Sequence, residues 1–385
     1  MRFSSAIRLM AWAGVIAAAI AIQALWGASH GHMLWSAVFD AGHMPLFGVV
    51  SLAVLKGLLV LTGPRGSASS AARANRTPVP TRWPRPMIYL AALIATTGIG
   101  GITEASQYFG ARDADPVDFA HNVYGALAFL AAAYALDPHA KRSLWGGRIP
   151  GRLTRTVLLL GTGSLLLTTI VPVARVANDY LQRNRAFPSI CEFEDAWERR
   201  FVGPRDAELR RVPPPEGWRG AQRLLEDRSG EALSGDEMPK GKEPRGSGPR
   251  EVARADRADG RESERVGQLT FHVAVYPALH IMEPHPDWSG YDRLVFEIYS
   301  ELDHPRELSF RINDNQHDNT YADRFNRVLT VMPGLNHYEI ELEDVARGPR
   351  HRRLDLRHVR NASLFAVRPE ATFRIWVDGF RLERD

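Results

Sequence analysis

The sequence predicts two unlike halves: a multi-pass α-helical membrane domain of five helices, and an all-β, jelly-roll-like sandwich after it. Three observations predict this. Up to about residue 175 the apolar residues fall in runs of membrane-spanning length. From about residue 268 they alternate with polar residues at period two, with turn signals between the runs. Between the two, residues 226–266 are rich in Gly, Ser, Pro, Glu, Asp and Arg and nearly devoid of aromatic or branched apolar side chains. A segment of that composition cannot bury enough surface to offset its chain entropy, so a disordered charged insertion is expected there. The expected organisation is a transmembrane domain over 1–175, a connector over 176–186 and a sandwich domain over 187–385 interrupted by the insertion.

Composition narrows the function classes. The single cysteine, Cys191, excludes a disulfide scaffold and is expected as a small buried hydrophobe. Lys and Arg number 48 against 44 Asp and Glu, and the excess sits in two short loops. No basic stripe with interleaved aromatics appears, so nucleic acid is not an expected partner, whereas membrane lipid is.

The five apolar stretches are about 7–27, 43–62, 87–108, 118–136 and 156–174. The first resembles a signal peptide in its basic start. A bulky Leu25 or Trp26 at the −3 position of a cleavage site argues for a retained helix. Bases cluster on alternate sides: Arg2 and Arg8, then Arg65, Arg73, Arg76, Arg82 and Arg85, then Lys141, Arg142, Arg148, Arg152 and Arg155. Cationic loops stay in the cytoplasm, so the N-terminus is expected inside, and five crossings carry everything after residue 175 outside.

Polar residues at the outer ends of the helices are the first functional signal. Asp40 and His43 open the second stretch, Glu104 and Gln107 close the third with Arg112 beyond, and Asp118, His121 and Asn122 open the fourth. Spacings of three and four put the members of each set on one helical face. Ionisable groups at membrane depth are costly unless they pair or line a wet cavity. Two readings follow: helix capping by Asp40 and Asp118, or one polar pocket shared by three helices. In the pocket reading the imidazoles and carboxylates offer donors for a divalent metal, without a tight motif of the His-Glu-x-x-His kind.

This order of residues, Asp-x-x-His, then Glu-x-x-Gln with a following Arg, then Asp-x-x-x-Asn-x-x-Gly, resembles the VanZ-like membrane family over roughly residues 1–140. The stretch after His43, Met44-Pro45-Leu46-Phe47, departs from the family's aromatic-rich pattern. The resemblance implies a bacterial cytoplasmic (inner) membrane protein, related to proteins associated with reduced glycopeptide susceptibility. It also implies that Asp40, His43, Glu104, Gln107, Arg112, Asp118 and Asn122 are the residues that matter.

In the second half, strands are expected at 294–299, 308–312, 328–331, 338–342, 363–367 and 373–377, with turns at Asp287 to Gly290, Pro333-Gly334 and Asp378-Gly379. The loop 313–326 is dense in short hydrogen-bonding side chains. Asp314, His317, Tyr321, Asp323, Arg324 and Asn326 suit a sugar, whose paired hydroxyls meet carboxylates and amides while an aromatic face covers its C–H surface. Trp288 is a further stacking candidate. The opposing expectation is that the Asp and Asn residues cap turns and that Trp288 and Tyr291 belong to the core. Hard oxygen donors at Glu192, Glu194 and Asp378 suggest a Ca2+ site; no other cofactor is expected. The Asp-Trp-Ser-Gly-Tyr segment, the His-to-Asp-Arg-Phe-Asn loop and the final Val-Asp-Gly-Phe-Arg-Leu strand are similar to bacterial galactose-binding-like, carbohydrate-binding β-sandwich modules. That resemblance implies an envelope or exported polysaccharide as partner. A binding role is favoured over catalysis, since no paired catalytic carboxylates stand out. The alternatives are a structural or sensing part of an envelope complex without a glycan ligand, and a membrane enzyme acting on a lipid-linked or cell-wall precursor. Protein partners are not indicated.

Overall fold

The computed structural model describes residues 3–26, 32–63, 83–107, 116–140, 150–220 and 265–385. Arg112 and nearly all of the 226–266 insertion lie outside the described residues, as do most of the basic loop residues. The chain divides into two compact units, Met1–Asn178 and Asp179–Asp385.

The first unit contains α1 (Phe3–Trp26), α2 (Met33–Thr62), α3 (Arg85–Gln107), α4 (Pro116–Leu136) and most of α5 (Gly151–Ala186). Four helices, all but α1, are long and apolar enough to cross a membrane; α1 contains the shorter apolar stretch Ala6–Ala21. α2 starts ten residues before the expected stretch at 43, because His32, Ser36 and Asp40 dilute the hydropathy of a segment that is helical nonetheless. Asp40 and His43 therefore sit inside a helix rather than at its opening, which removes the capping reading for Asp40. Asp118 does lie in the first turn of α4, behind Pro116 at the helix start.

α2 and α4 cross closely because two glycines admit the opposite helix. A Cβ on Gly125 would overlap the backbone carbonyl of Met44, and one on Gly48 would overlap the Phe129 ring. Small residues at crossings let backbones approach where lipid supplies no hydrophobic drive between helices. α5 joins through hydroxyls: Thr162 donates to the Ala128 carbonyl at 3.1 Å and Thr169 to the Met44 sulfur at 3.3 Å.

The second unit is an antiparallel β-sandwich. Its strands are β1 (Ser189–Cys191), β2 (Val202–Arg205), β3 (Ala207–Val212), β4 (Val266–Phe271), β5 (Ala278–Met282), β6 (Arg293–Ser300), β7 (Arg306–Asp314), β8 (Phe325–Val331), β9 (Gly334–Glu341), β10 (Val359–Phe365) and β11 (Phe373–Glu383). Two short helices, α6 (Glu198–Phe201) and α7 (Leu342–Ala346), sit among them. One sheet runs β3-β4-β11-β6-β9, with β1 also on β11; the other runs β2-β5-β10-β7-β8. Alternate residues of both sheets meet in one core: Leu279 and Ile281, Leu308, Phe310 and Ile312, and Ala362 and Leu364 from the five-stranded sheet face Leu269, Leu294, Phe296, Ile298, Ile375 and Val377 from the other. Cys191 lies in this core, fully buried, and burial pushes its thiol well up.

All six expected strands are present within a few residues. Gly334, with φ +89°, closes the β8–β9 connection as the Pro-Gly signal implied. Asp378-Gly379, however, is not a turn. β11 runs through it, with an irregular register between Asp378 and Arg381 and Gly379 at φ +67°. A glycine at positive φ where the register shifts within a strand marks a bulge.

Candidate functional site

In the helical unit the structure gathers four of the expected pocket residues. His43 Nδ1 lies 3.1 Å from Asn122 Oδ1, and Asn122 Nδ2 donates to Glu104 Oε1 at 3.1 Å. His43 Nε2 is 3.6 Å from Asp118 Oδ2. All four side chains are buried. Gly100 helps, since a Cβ there would press on Phe47 and Asn122 at 3.2–3.4 Å. Asp40 is exposed, and the side chain of Gln107 is not among those described. His121 is half-buried, with its Nδ1 lacking a partner. One ligand atom each from His43, Glu104 and Asp118 lie within 4.8 Å of one another, a donor set suited to a divalent cation.

In the sandwich, the 313–326 loop is drawn together by a residue that sequence reasoning passed over. The Arg352 guanidinium meets Asp314 through Nη1–Oδ2 at 2.5 Å and Nη2–Oδ1 at 2.8 Å, and meets Asp323 through Nε–Oδ1 at 2.5 Å and Nη2–Oδ2 at 3.0 Å. Backbone N–H groups of Asp355 and Gln316 complete the shell of Asp314, which is fully buried. The neighbouring guanidinium holds the Asp323 carboxyl down at about 2. His317 donates Nδ1–H to the Asp323 carbonyl at 2.8 Å. His317, Asp318 and Asp323 also offer donor atoms within 4.8 Å of one another, but Arg352 already supplies the positive charge at Asp323. Asp314, His317 and Asp323 thus shape the loop. Trp288 shapes the core: it is fully buried, and its Nε1 donates to the His285 carbonyl at 2.7 Å, so it presents no face for a ligand.

Of the suggested calcium donors, Glu194 Oε1 accepts the Arg265 N–H at 3.2 Å, and Asp378 is fully buried in β11. The loop between β1 and α6 instead folds its N–H groups around Glu198, which accepts from Glu192, Phe193 and Asp195 at 2.6–3.1 Å. Glu192, Glu194 and Asp378 belong to neither group of potential metal ligands found among the described residues.

The remaining loop residues, Tyr321, Arg324 and Asn326, belong to a different surface: the outer face of the five-stranded sheet. Register fixes what stands there. Gly203 pairs with His280, His280 with Ser363, Ser363 with Arg311, and Arg311 with Asn326. Since Ile281, Ala362, Leu364, Phe310 and Ile312 point inward, these pairs point outward. A polar row crosses four of the five strands, about 14 Å from β5 to β8, with Gly203 continuing it on β2. Beside it, Asn361 pairs with Asn313. His280 Nδ1 and Ser363 Oγ are hydrogen-bonded at 2.8 Å. Four other atoms of this face are buried yet lack a hydrogen-bond partner: Arg311 Nε, Arg324 Nε, Asn326 Oδ1 and Asn361 Oδ1. Native proteins leave few such atoms, and each asks for an explanation.

Aromatic and apolar groups border the row. Tyr276 and Tyr321 are 53% and 66% exposed, exposures large enough for a ring to cover a ligand. The Arg324 guanidinium lies 5.1 Å from the Tyr321 ring centroid, and Tyr276 meets Phe365 edge-on at 6.1 Å. Met282 and Val328 are exposed on the same face. Such a surface offers donors, acceptors and flat apolar patches together, the combination a polyhydroxylated ring requires.

Neither a family model nor a curated protein matches this chain. Similarity to the VanZ-like family therefore rests on the spacing of the polar residues alone. Among solved structures, the sandwich part is similar to a family 11 carbohydrate-binding module from Clostridium thermocellum in complex with a β-1,3-1,4-mixed-linked tetrasaccharide, at 14% identity over 51% of this chain and 94% of that one, with a TM-score of 0.31. An exo-β-agarase is similar at 13% identity over 51% of this chain and 25% of its own, with a TM-score of 0.33. A family 30 module of a Clostridium thermocellum cellulosomal cellulase is similar at 15% identity, over 32% of this chain and 78% of its own, with a TM-score of 0.27.

Proposed function

We propose that this chain is a membrane protein of the bacterial cell envelope that binds polysaccharide on the outer face of its five-stranded sheet. The observation that carries the reading is the convergence of unpartnered buried polar atoms from Arg311, Arg324, Asn326 and Asn361 between exposed Tyr276 and Tyr321. Groups held at low accessibility without partners are costly unless a ligand or ordered water completes them. A sugar chain lying across the strands would complete them through its hydroxyls. In this reading the helices anchor the protein in the inner membrane with the N-terminus in the cytoplasm and the sandwich outside, as the arginine distribution implies.

The test is a glycan array probed with the full chain in detergent, followed by titration of any glycan captured. Asn326→Ala and Tyr276→Ala should each weaken binding several-fold with unchanged unfolding temperature. A protein that captures no glycan, or whose affinity ignores both substitutions, would refute the proposal. Parallel fusions of a periplasm-active and a cytosol-active reporter at the C-terminus check the orientation: activity of the cytosolic reporter alone refutes it.

A second reading concerns the helical unit, where His43, Glu104, Asp118 and Asn122 are in contact and buried. Such a quartet suits acid–base or metal chemistry on a membrane substrate as well as it suits a tie between helices. Glu104→Gln, which keeps shape and removes charge, separates the two. An altered cellular phenotype at normal membrane abundance supports chemistry; wild-type behaviour supports the tie.

A further inference from the structure

The outer face of the five-stranded sheet carries cations without the acids that would balance them. Arg311 and Arg324 form no salt bridge among the described residues, and their Nε atoms have no hydrogen-bond partner. Arg205 stands on the same face, since its strand neighbour Ala278 alternates with inward Leu279 and Ile281; its ion pair among the described residues is with Asp206, at 3.9 Å and in solvent. His280 stands on the same face, and burial and then the charges of Arg311 and Arg205 push its pKa down. Burial, Arg324 and Arg205 likewise lower Arg311. Outward positions of β2, β5, β8 and β10 carry no Asp or Glu. On β7 only Glu307 does, four residues from Arg311 and so about 13 Å along the strand.

This placement is the reverse of the one a few residues away, where Arg352 is saturated by two carboxylates. Like charges crowded on a rigid sheet without counter-charge are unfavourable by themselves and become favourable once an anion binds. An arginine fork also matches the two oxygens of a carboxylate or sulfate in a way a hydroxyl does not. We infer that the polysaccharide bound here is acidic, bearing carboxylate or sulfate groups that seat against Arg311 and Arg324. The inference rests on the glycan-binding reading above and specifies its ligand class. Exposed Tyr276 and Tyr321 beside the two arginines favour a sugar polymer over a lipid headgroup, because they offer flat apolar area level with the charge.

The full chain in detergent is titrated with two matched pairs of probes: polygalacturonate against its fully methyl-esterified form, and dextran sulfate against dextran. Within at least one pair the acidic member should bind tenfold or more tightly, and the advantage should shrink as salt rises. Arg311→Gln and Arg324→Gln should each lose about tenfold for that probe, and Arg311→Lys should recover part of the loss. The unfolding temperature of each variant, measured alongside, shows that it is folded. Equal or tighter binding of the neutral members, unaffected by Arg311→Gln, overturns the acidic assignment and leaves the glycan reading standing. Binding of none of the four probes overturns both. A thymidine oligonucleotide bound as tightly as the acidic probes would show general affinity for polyanions and overturn the choice of polysaccharide.

Discussion

Two regions of the sandwich use arginine in opposite ways. Arg352 joins Asp314 to Asp323 across 38 and 29 residues of sequence, and every carboxylate oxygen in that clamp has a partner. Arg311 and Arg324, on the adjoining sheet face, meet no carboxylate among the described residues. One arrangement is complete within the chain and the other is not. Composition cannot distinguish them, because both are Arg and Asp or Asn near strand ends. A completed network is a structural part, and an uncompleted one held on rigid strands is a place for a ligand. In the helical unit His43, Asn122, Glu104 and Asp118 are likewise tied to one another, through contacts at 3.1–3.6 Å.

The contrast can be broken most forcefully at the clamp. Arg352→Met leaves Asp314 as an uncompensated buried charge and should destabilise the sandwich by about 3–5 kcal/mol, whereas Arg311→Met should change stability by under about 1 kcal/mol. Thermal unfolding of the two variants checks this; equal losses would erase the distinction. Next in size is the helical unit. Gly125→Ala should cost about 1–3 kcal/mol, because its methyl meets the Met44 backbone, which cannot rotate away as a side chain can. Loss of protease resistance in membranes reports it. Asn122→Ala removes the bridge between His43 and Glu104 and should cost about 1–3 kcal/mol by the same assay.

A pH titration sharpens the clamp. The Asp323 carboxyl is depressed to about 2 from an ordinary value near 3.8. Its contribution is therefore fully present above about pH 4 and fades as pH falls toward 2; it is protonation that removes it. Acid unfolding of the wild type should show this extra loss, and Asp323→Asn should not. The smallest effect is at the rim: Tyr276→Ala should shift stability by under about 0.5 kcal/mol while weakening glycan binding.

Much of the architecture was legible in the order of residues. Alternation located β6 to β11 because each has one face in a core and the other toward solvent. The start of α2 was not, because Ser36 and Asp40 interrupt its apolar first third without ending the helix. The helical quartet was legible in part: i, i+3 and i+4 spacing groups residues on one helix, and membrane depth groups helices. The glycan face was mostly hidden. Loop residues Tyr321, Arg324 and Asn326 drew notice, but His280, Ser363, Arg311 and Asn361 come from three strands whose lateral order and register a single sequence does not state. Arg311 alternates outward between Phe310 and Ile312, which was the available sign. Trp288 misled because an aromatic in an Asp-Trp-Ser-Gly turn looks the same whether its indole N–H is satisfied by ligand or, as here, by the His285 carbonyl.

β11 pairs with β4 along one stretch, with β1 along another and with β6 on its opposite edge. The keystone of the larger sheet is thus synthesised after every strand that leans on it. β4 can pair with β3 and β6 with β9 beforehand, but these two ribbons have no strand to join them into one sheet until residues 373–383 take their place between them.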